Sequence, residues 1–205
     1  MRRYVNIKDM NRKEIESYLY KIRYYALFCL IFFLLSIYEG YFIAQNYPGE
    51  IQDLLKNIES FFEPARQLSS YELFLFIFEN NAVKLFTVLL FSIFAGLSSL
   101  FAIFSNGFIL GVVSKFIIEK MSLAYLLAGI LPHGIFELTA FLLSAASGLR
   151  IGTTVLLRVF GRKVSVTREF SDGPKFYILV LVPLLLGAAF IEAYITPIVL
   201  SFFMP

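Results

Sequence analysis

Charge is scarce in this chain. Only 16% of its 205 residues are Asp, Glu, Lys or Arg, where a soluble domain carries about a quarter. There is one cysteine, Cys29, which excludes an intrachain disulfide framework and a multi-cysteine metal cluster. There is one histidine, His133, so any Ser/His or Cys/His nucleophile pair must use it, and no G-x-S-x-G stretch is present. What fills the space is apolar: 59% of the residues are hydrophobic, and the mean hydropathy is +0.75. These values exclude an ordinary soluble domain. The apolar residues form long continuous runs rather than the alternating strands of about ten residues that a transmembrane barrel needs. The expected fold is therefore an all-α integral membrane protein, a single domain of about five transmembrane helices.

The few charges are placed unevenly. Arg2, Arg3, Lys8, Arg12, Lys13, Lys21 and Arg23 crowd residues 1–23, ahead of an apolar run over 24–44. A basic flank before a first span belongs in the cytoplasm. The polar segment is too long for a cleavable signal peptide, and no A-x-A site follows it. Residues 45–73 are acidic (Glu50, Asp53, Glu59, Glu63, Glu72), with Lys56 and Arg66 as the only basic groups, and are expected outside. Within them Pro48 can open a helix and Pro64 stop it, while Ile51, Leu54, Leu55, Ile58 and Phe62 recur at helical spacing. That pattern predicts an extracytoplasmic amphipathic helix resting on the bundle. Further spans are expected at 74–97, 100–118, 122–149 and 176–203. Between the last two lies a basic loop, 150–175, placed inside, with a short interfacial helix near 151–160. The protein is thus expected in the plasma membrane with its N-terminus in the cytoplasm.

Ionisable groups inside a bilayer cost at least ~2.5–3.5 kcal/mol each on insertion scales and mark sites. Glu39, Asn81, Lys84, Asn106, His133, Glu137 and Glu192 all fall within expected spans. At ~1.5 Å per residue, His133 lies ~16 Å along its span and Glu192 ~24 Å along its own, depths that let the two meet. The i,i+4 spacing puts His133 and Glu137 on one helix face. Pro132 lacks an N–H and would clash with the Ala128 carbonyl, so the fourth span is expected to break there, between Gly129 and Gly134. A break would aim a helix N-terminus at the bundle centre. A purely structural role, with Glu192 paired to Lys84, is the plain alternative. One histidine and a few glutamates are a thin donor set for zinc and there is no H-E-x-x-H, so no metal and no cofactor are expected. Small residues four apart (Ser92/Gly96, Gly107/Gly111, Ala124/Ala128, Ser144/Gly148) suit close helix contacts, inside the bundle or at a dimer face.

The stretches NN at 80–81, NGFILG at 106–111, LPHGIFELTAF at 131–141, SGLRIG at 147–152 and IEAYITP at 191–197 follow one another in that order. Together they resemble the stage II sporulation protein M family of small polytopic membrane proteins, over residues 75–197. On that resemblance Asn81, Asn106, Gly107, His133, Gly134, Glu137, Gly148, Arg150, Glu192 and Pro197 match the family's motifs. Pro132, Gly111 and the matched Gly107, Gly134, Gly148 and Arg150 are read as structural. In spore-forming bacteria the namesake is a membrane partner in a complex that remodels the cell wall, in which another subunit is the hydrolase. Many relatives occur in organisms that form no spores.

The resemblance implies no catalytic machinery, so the chain is not expected to be an enzyme. Two readings stay open. One is a membrane scaffold or assembly partner, held in register by its polar motif and working with another membrane protein. The other is a homodimeric channel or transporter for protons, cations or a small solute. An intramembrane hydrolase is the least favoured. The expected partners are the lipid bilayer and a second copy of the chain, with no nucleic acid.

Overall fold

The computed structural model describes residues 10–203, apart from the side chains of Glu59, Phe61, Phe62 and Arg66. The basic residues Arg2, Arg3 and Lys8 and the side chain of Phe62 thus lie outside the described residues. Helix α1 spans Arg12–Asn46, α2 Pro48–Phe62, α3 Ser70–Phe91, α4 Leu97–Lys120 and α5 Leu123–Val159. The last membrane-length segment, Val166–Ser201, is helical throughout but divided: α6 Val166–Phe176, α7 Val182–Phe190 and α8 Thr196–Ser201, joined by π-helical turns at Tyr177–Leu181 and Ile191–Ile195. Among the described residues, five helices are long and apolar enough to cross a membrane.

The helix starts follow local chemistry. Asn11 and Glu14 close a capping box on α1, which therefore begins well before the apolar run at residue 24. Ser69 and Glu72 do the same for α3. Between α3 and α4 the chain reverses at Ser92–Gly96, where Ala95 (φ 55°) and Gly96 (φ 77°) are left-handed. Helix α2 keeps the length expected from Pro48 and Pro64. Its Ile51, Leu54 and Leu55 pack on Ala44 and Val112, so it caps the end of the bundle where α1 and α4 finish. We refer to this as the α2 end and to the opposite end, with Ser92–Gly96, as the hairpin end.

Two expectations fail here. The fourth span is not broken at Pro132: α5 runs unbroken from Leu123 to Val159 with Pro132 inside it. A proline removes one ladder bond, but the bonds on either side persist, and in an apolar surrounding no water competes for them. No helix N-terminus therefore points into the bundle at this position. Nor is 151–160 a separate interfacial helix, since α5 absorbs it. By contrast, Pro183 and Pro197 each sit just after a π-helical turn. The wider π turn leaves room for the ring against the preceding carbonyl, so the strain of these two prolines is met by changing the helix.

Helices α1 and α4 run parallel and very close. A Cβ on Gly40 would overlap the Phe108 carbonyl, one on Gly111 the Ile37 carbonyl, and one on Gly107 would lie 2.7 Å from Ser36 Cβ. The Gly107/Gly111 pair is thus an internal seam. Gly148 and Gly152 of α5 meet the hairpin in the same way, where a Cβ on Gly148 would lie 2.9 Å from Ser92 Cβ and one on Gly152 2.5 Å from the Ala95 carbonyl carbon. Of the four small-residue pairs only Ala124/Ala128 is turned outward, with Ala124 exposed.

Polar side chains tie the remaining helices together. Ser144 donates to the Leu85 carbonyl at 3.0 Å and Tyr177 to the Ala82 carbonyl at 2.6 Å. Ser92 Oγ lies 2.6 Å from Ser99 Oγ. At the hairpin end Arg150 grips Glu169 with two bonds, Nε to Oε2 at 2.6 Å and Nη2 to Oε1 at 2.7 Å. Between these two ends the centre is filled by Leu85, Leu89, Phe141, Leu149, Leu181 and Leu185, each 7% exposed or less.

Candidate functional site: a polar cluster in the α2-side half

His133 lies ten residues into α5 and Glu137 one turn further, both half-buried on the same face. Glu192 arrives from the second π turn, Ile191–Ile195. One donor atom from each of the three lies within 4.8 Å of the other two. His133 Nε2 is 4.0 Å from Glu192 Oε2, and His133 Nδ1 is 3.3 Å from Thr196 Oγ1. The Thr196 hydroxyl in turn donates to the Ile191 carbonyl at 3.3 Å, across the π turn. With its proton so engaged, its oxygen can accept from Nδ1–H. In that tautomer Nε2 carries the free lone pair.

This arrangement accounts for much of the IEAYITP stretch. Pro197 stands behind the π turn, the turn carries Glu192, and Thr196 orients His133. A π turn shifts every following side chain around the helix axis, and such turns often occur at functional positions.

A cavity of 330 Å³, open on one side, borders the cluster. Its polar lining is Asn81, Lys84, Asn106, His133 and Glu137, among apolar walls that include Phe33 and Phe141. Lys84 does not pair with Glu192. Its ammonium donates to Asn106 Oδ1, and the Asn106 amide donates to the Ala102 carbonyl at 2.7 Å. A second cavity of 320 Å³ is lined by Glu192, Thr196 and Pro197 with Leu73, Phe76 and Leu200. The three cluster residues are thus divided between the linings of two cavities.

Of the residues expected at a polar intramembrane site, the structure unites His133, Glu137 and Glu192, with Asn81, Lys84 and Asn106 along the same cavity. Glu39 stands apart, exposed on α1, and lines neither cavity. Arg150 is far from this cluster by sequence and packing, engaged with Glu169. Two further residues take part in these contacts, Thr196 at the cluster and Glu169 at Arg150. The TP pair in IEAYITP signals the first, and the second is one of only two acids, with Asp172, in the basic 150–175 stretch.

Membrane-length apolar helices around a half-buried polar cluster define a polytopic, multi-pass membrane protein. The chain belongs to the stage II sporulation protein M family, whose model matches residues 29–197. It is 37% identical over 131 residues to an uncharacterized protein of Methanocaldococcus jannaschii, covering 62% of this chain and 73% of that one. A second uncharacterized protein of the same organism is 32% identical over 182 residues, covering 83% and 80%. No solved structure matches the chain.

Proposed function

We propose that this protein is a non-enzymatic membrane scaffold or assembly partner, set in the plasma membrane with its N-terminus in the cytoplasm and α2 on the outer side. The observation that carries this reading is the packed centre between Leu85 and Leu185, which ends the polar cavity within the bundle rather than continuing it to the hairpin end. Interhelical bonds from Ser144, Tyr177, Lys84 and Arg150 favour a rigid body over a moving one. The long apolar face of α1, with Leu27 54% and Leu34 55% exposed, is available to lipid or to another membrane protein.

A photo-activated cross-linker at Leu27 or Leu34 in native membranes tests this. The expected result is a discrete adduct with one other membrane protein. Diffuse labelling of lipid alone, together with ion flux in vesicles of the purified protein, would replace the scaffold by conduction. The second reading, passage of protons or cations through a homodimer, is favoured by one observation: the cluster residues line two cavities. Under the scaffold reading, vesicles holding the protein keep proton, sodium and potassium gradients as long as protein-free ones.

A further inference from the structure

We infer that His133, Glu137 and Glu192 bind one divalent first-row metal cation, of the zinc or manganese type, through His133 Nε2 and one oxygen of each carboxylate.

The donors come from two separate helices and converge within 4.8 Å of one another. Zinc bonds to nitrogen and oxygen measure ~2.0–2.2 Å, which sets donor-to-donor edges of about 3.4 Å in a tetrahedral site. Each donor has to move inward by under ~1 Å to reach bonding distance. Rotation of glutamate side chains supplies such a shift without moving a helix.

A cation between the donors would suit their hydrogen bonding. With Thr196 on the Nδ1 side of the imidazole, the tautomer that donates to it presents an Nε2 lone pair to Glu192 Oε2 at 4.0 Å. Two acceptors face each other, and Glu137 brings a third. Lys84, on the same cavity, donates to Asn106 and also lies close enough to Glu137 to attract it, but not to reach Glu192. A divalent ion placed among the three donors satisfies all of them and cancels the two carboxylate charges, which is what an apolar surrounding requires of buried ions.

The surroundings also have the features of a metal site. A ligating histidine normally gives its other N–H to an oxygen acceptor, and Thr196 is that acceptor. The donor set of one imidazole and two carboxylates suits zinc, manganese or iron rather than copper(I), which prefers sulfur. Three protein ligands leave a position open towards the cavity, where Asn81 and Asn106 can hold water. Glu39, exposed and remote, is the natural control.

This inference goes beyond the scaffold reading and stands or falls separately. The test is equilibrium dialysis of the full chain in lipid nanodiscs, stripped with a chelator and then offered Zn²⁺ or Mn²⁺ alone, with metal counted by mass spectrometry. The expected result is one equivalent per chain, with Zn²⁺ held more tightly than Mn²⁺, and Mg²⁺ not retained. His133→Ala, Glu137→Gln and Glu192→Gln each lose the equivalent, Thr196→Val weakens binding by ~10-fold or more, and Thr196→Ser and Glu39→Gln retain it. Co²⁺ substitution gives a visible absorption band that His133→Ala abolishes. Metal uptake that is absent, or unchanged in all three ligand variants while those variants stay folded by circular dichroism, overturns the site. Should a ligand variant fail to fold, Thr196→Val against Thr196→Ser decides it: equal affinities would contradict the proposal.

Discussion

His133 Nε2 faces Glu192 Oε2 at 4.0 Å, while Thr196 Oγ1 lies 3.3 Å from the other ring nitrogen. The proposed site takes Nε2 as a lone pair. Replacing Glu192 by Gln supplies an amide N–H that can donate to Nε2, at a net worth of about 1 kcal/mol. Glu192→Gln is therefore expected to raise the thermal unfolding temperature of the metal-free protein slightly. Added Zn²⁺ should stabilise the native chain and leave this variant unmoved, as followed by intrinsic tyrosine fluorescence.

Pro197 and the π turn before it set the direction of Glu192. With alanine at 197 the ring no longer favours the wide turn, and Ile191–Ile195 can tighten to an α-helix, swinging Glu192 around the axis. Pro197→Ala is expected to leave stability unchanged or raised while weakening Zn²⁺ binding by ~10-fold, the loss that goes with a mis-oriented ligand. Dialysis and thermal unfolding on the same sample separate the two effects.

At the hairpin end the Arg150–Glu169 pair is well buried, with side chains 22% and 9% exposed. Removing one partner strands the other charge, at a cost of about 3 kcal/mol. Arg150→Ala and Glu169→Gln should each lower the unfolding temperature markedly. Arg150→Met combined with Glu169→Leu should recover most of the loss, and Arg150→Lys, which cannot make the two-bond fork, should be intermediate. None of these changes should alter Zn²⁺ stoichiometry.

The α1–α4 seam gives a steric prediction. A side chain at Gly111 or Gly40 meets backbone rather than flexible side-chain ends. Gly111→Leu should destabilise by at least ~2 kcal/mol, at the severe end of overpacking. The matching change at Gly187, whose Cβ would meet nothing within 4 Å, should be close to neutral apart from propensity. Unfolding of both in SDS titrations checks the contrast.

How far the sequence carries the fold can be judged from particular residues. Apolar run length alone finds five membrane-length helices, because a bilayer core imposes both length and composition. The Pro48 and Pro64 boundaries of α2 are also legible, since proline acts there through its own ring. Pro132, Pro183 and Pro197 show where such reading stops. The same residue leaves α5 unbroken and accompanies π turns in the last segment, and the outcome depends on the packing of the turn before it, which a linear rule does not contain.

The cluster was half visible. An i,i+4 rule places Glu137 beneath His133, and counting rise per residue puts Glu192 at a compatible depth. Thr196 was hidden, because its role rests on a π turn that shifts it by part of a helical step. Depth alone groups Glu39 with the cluster, but depth does not say which way a side chain points. Donor count alone argues against a metal, and it is the convergence of three donors from two helices, a feature of three-dimensional packing, that argues for one.

Zinc-edge anomalous scattering from crystals of the full chain soaked in Zn²⁺ tests the central claim most directly. The account predicts one peak at ~2.0–2.2 Å from His133 Nε2 and from an oxygen each of Glu137 and Glu192. A map with no peak there, and His133 Nε2 bonded directly to Glu192, would contradict it.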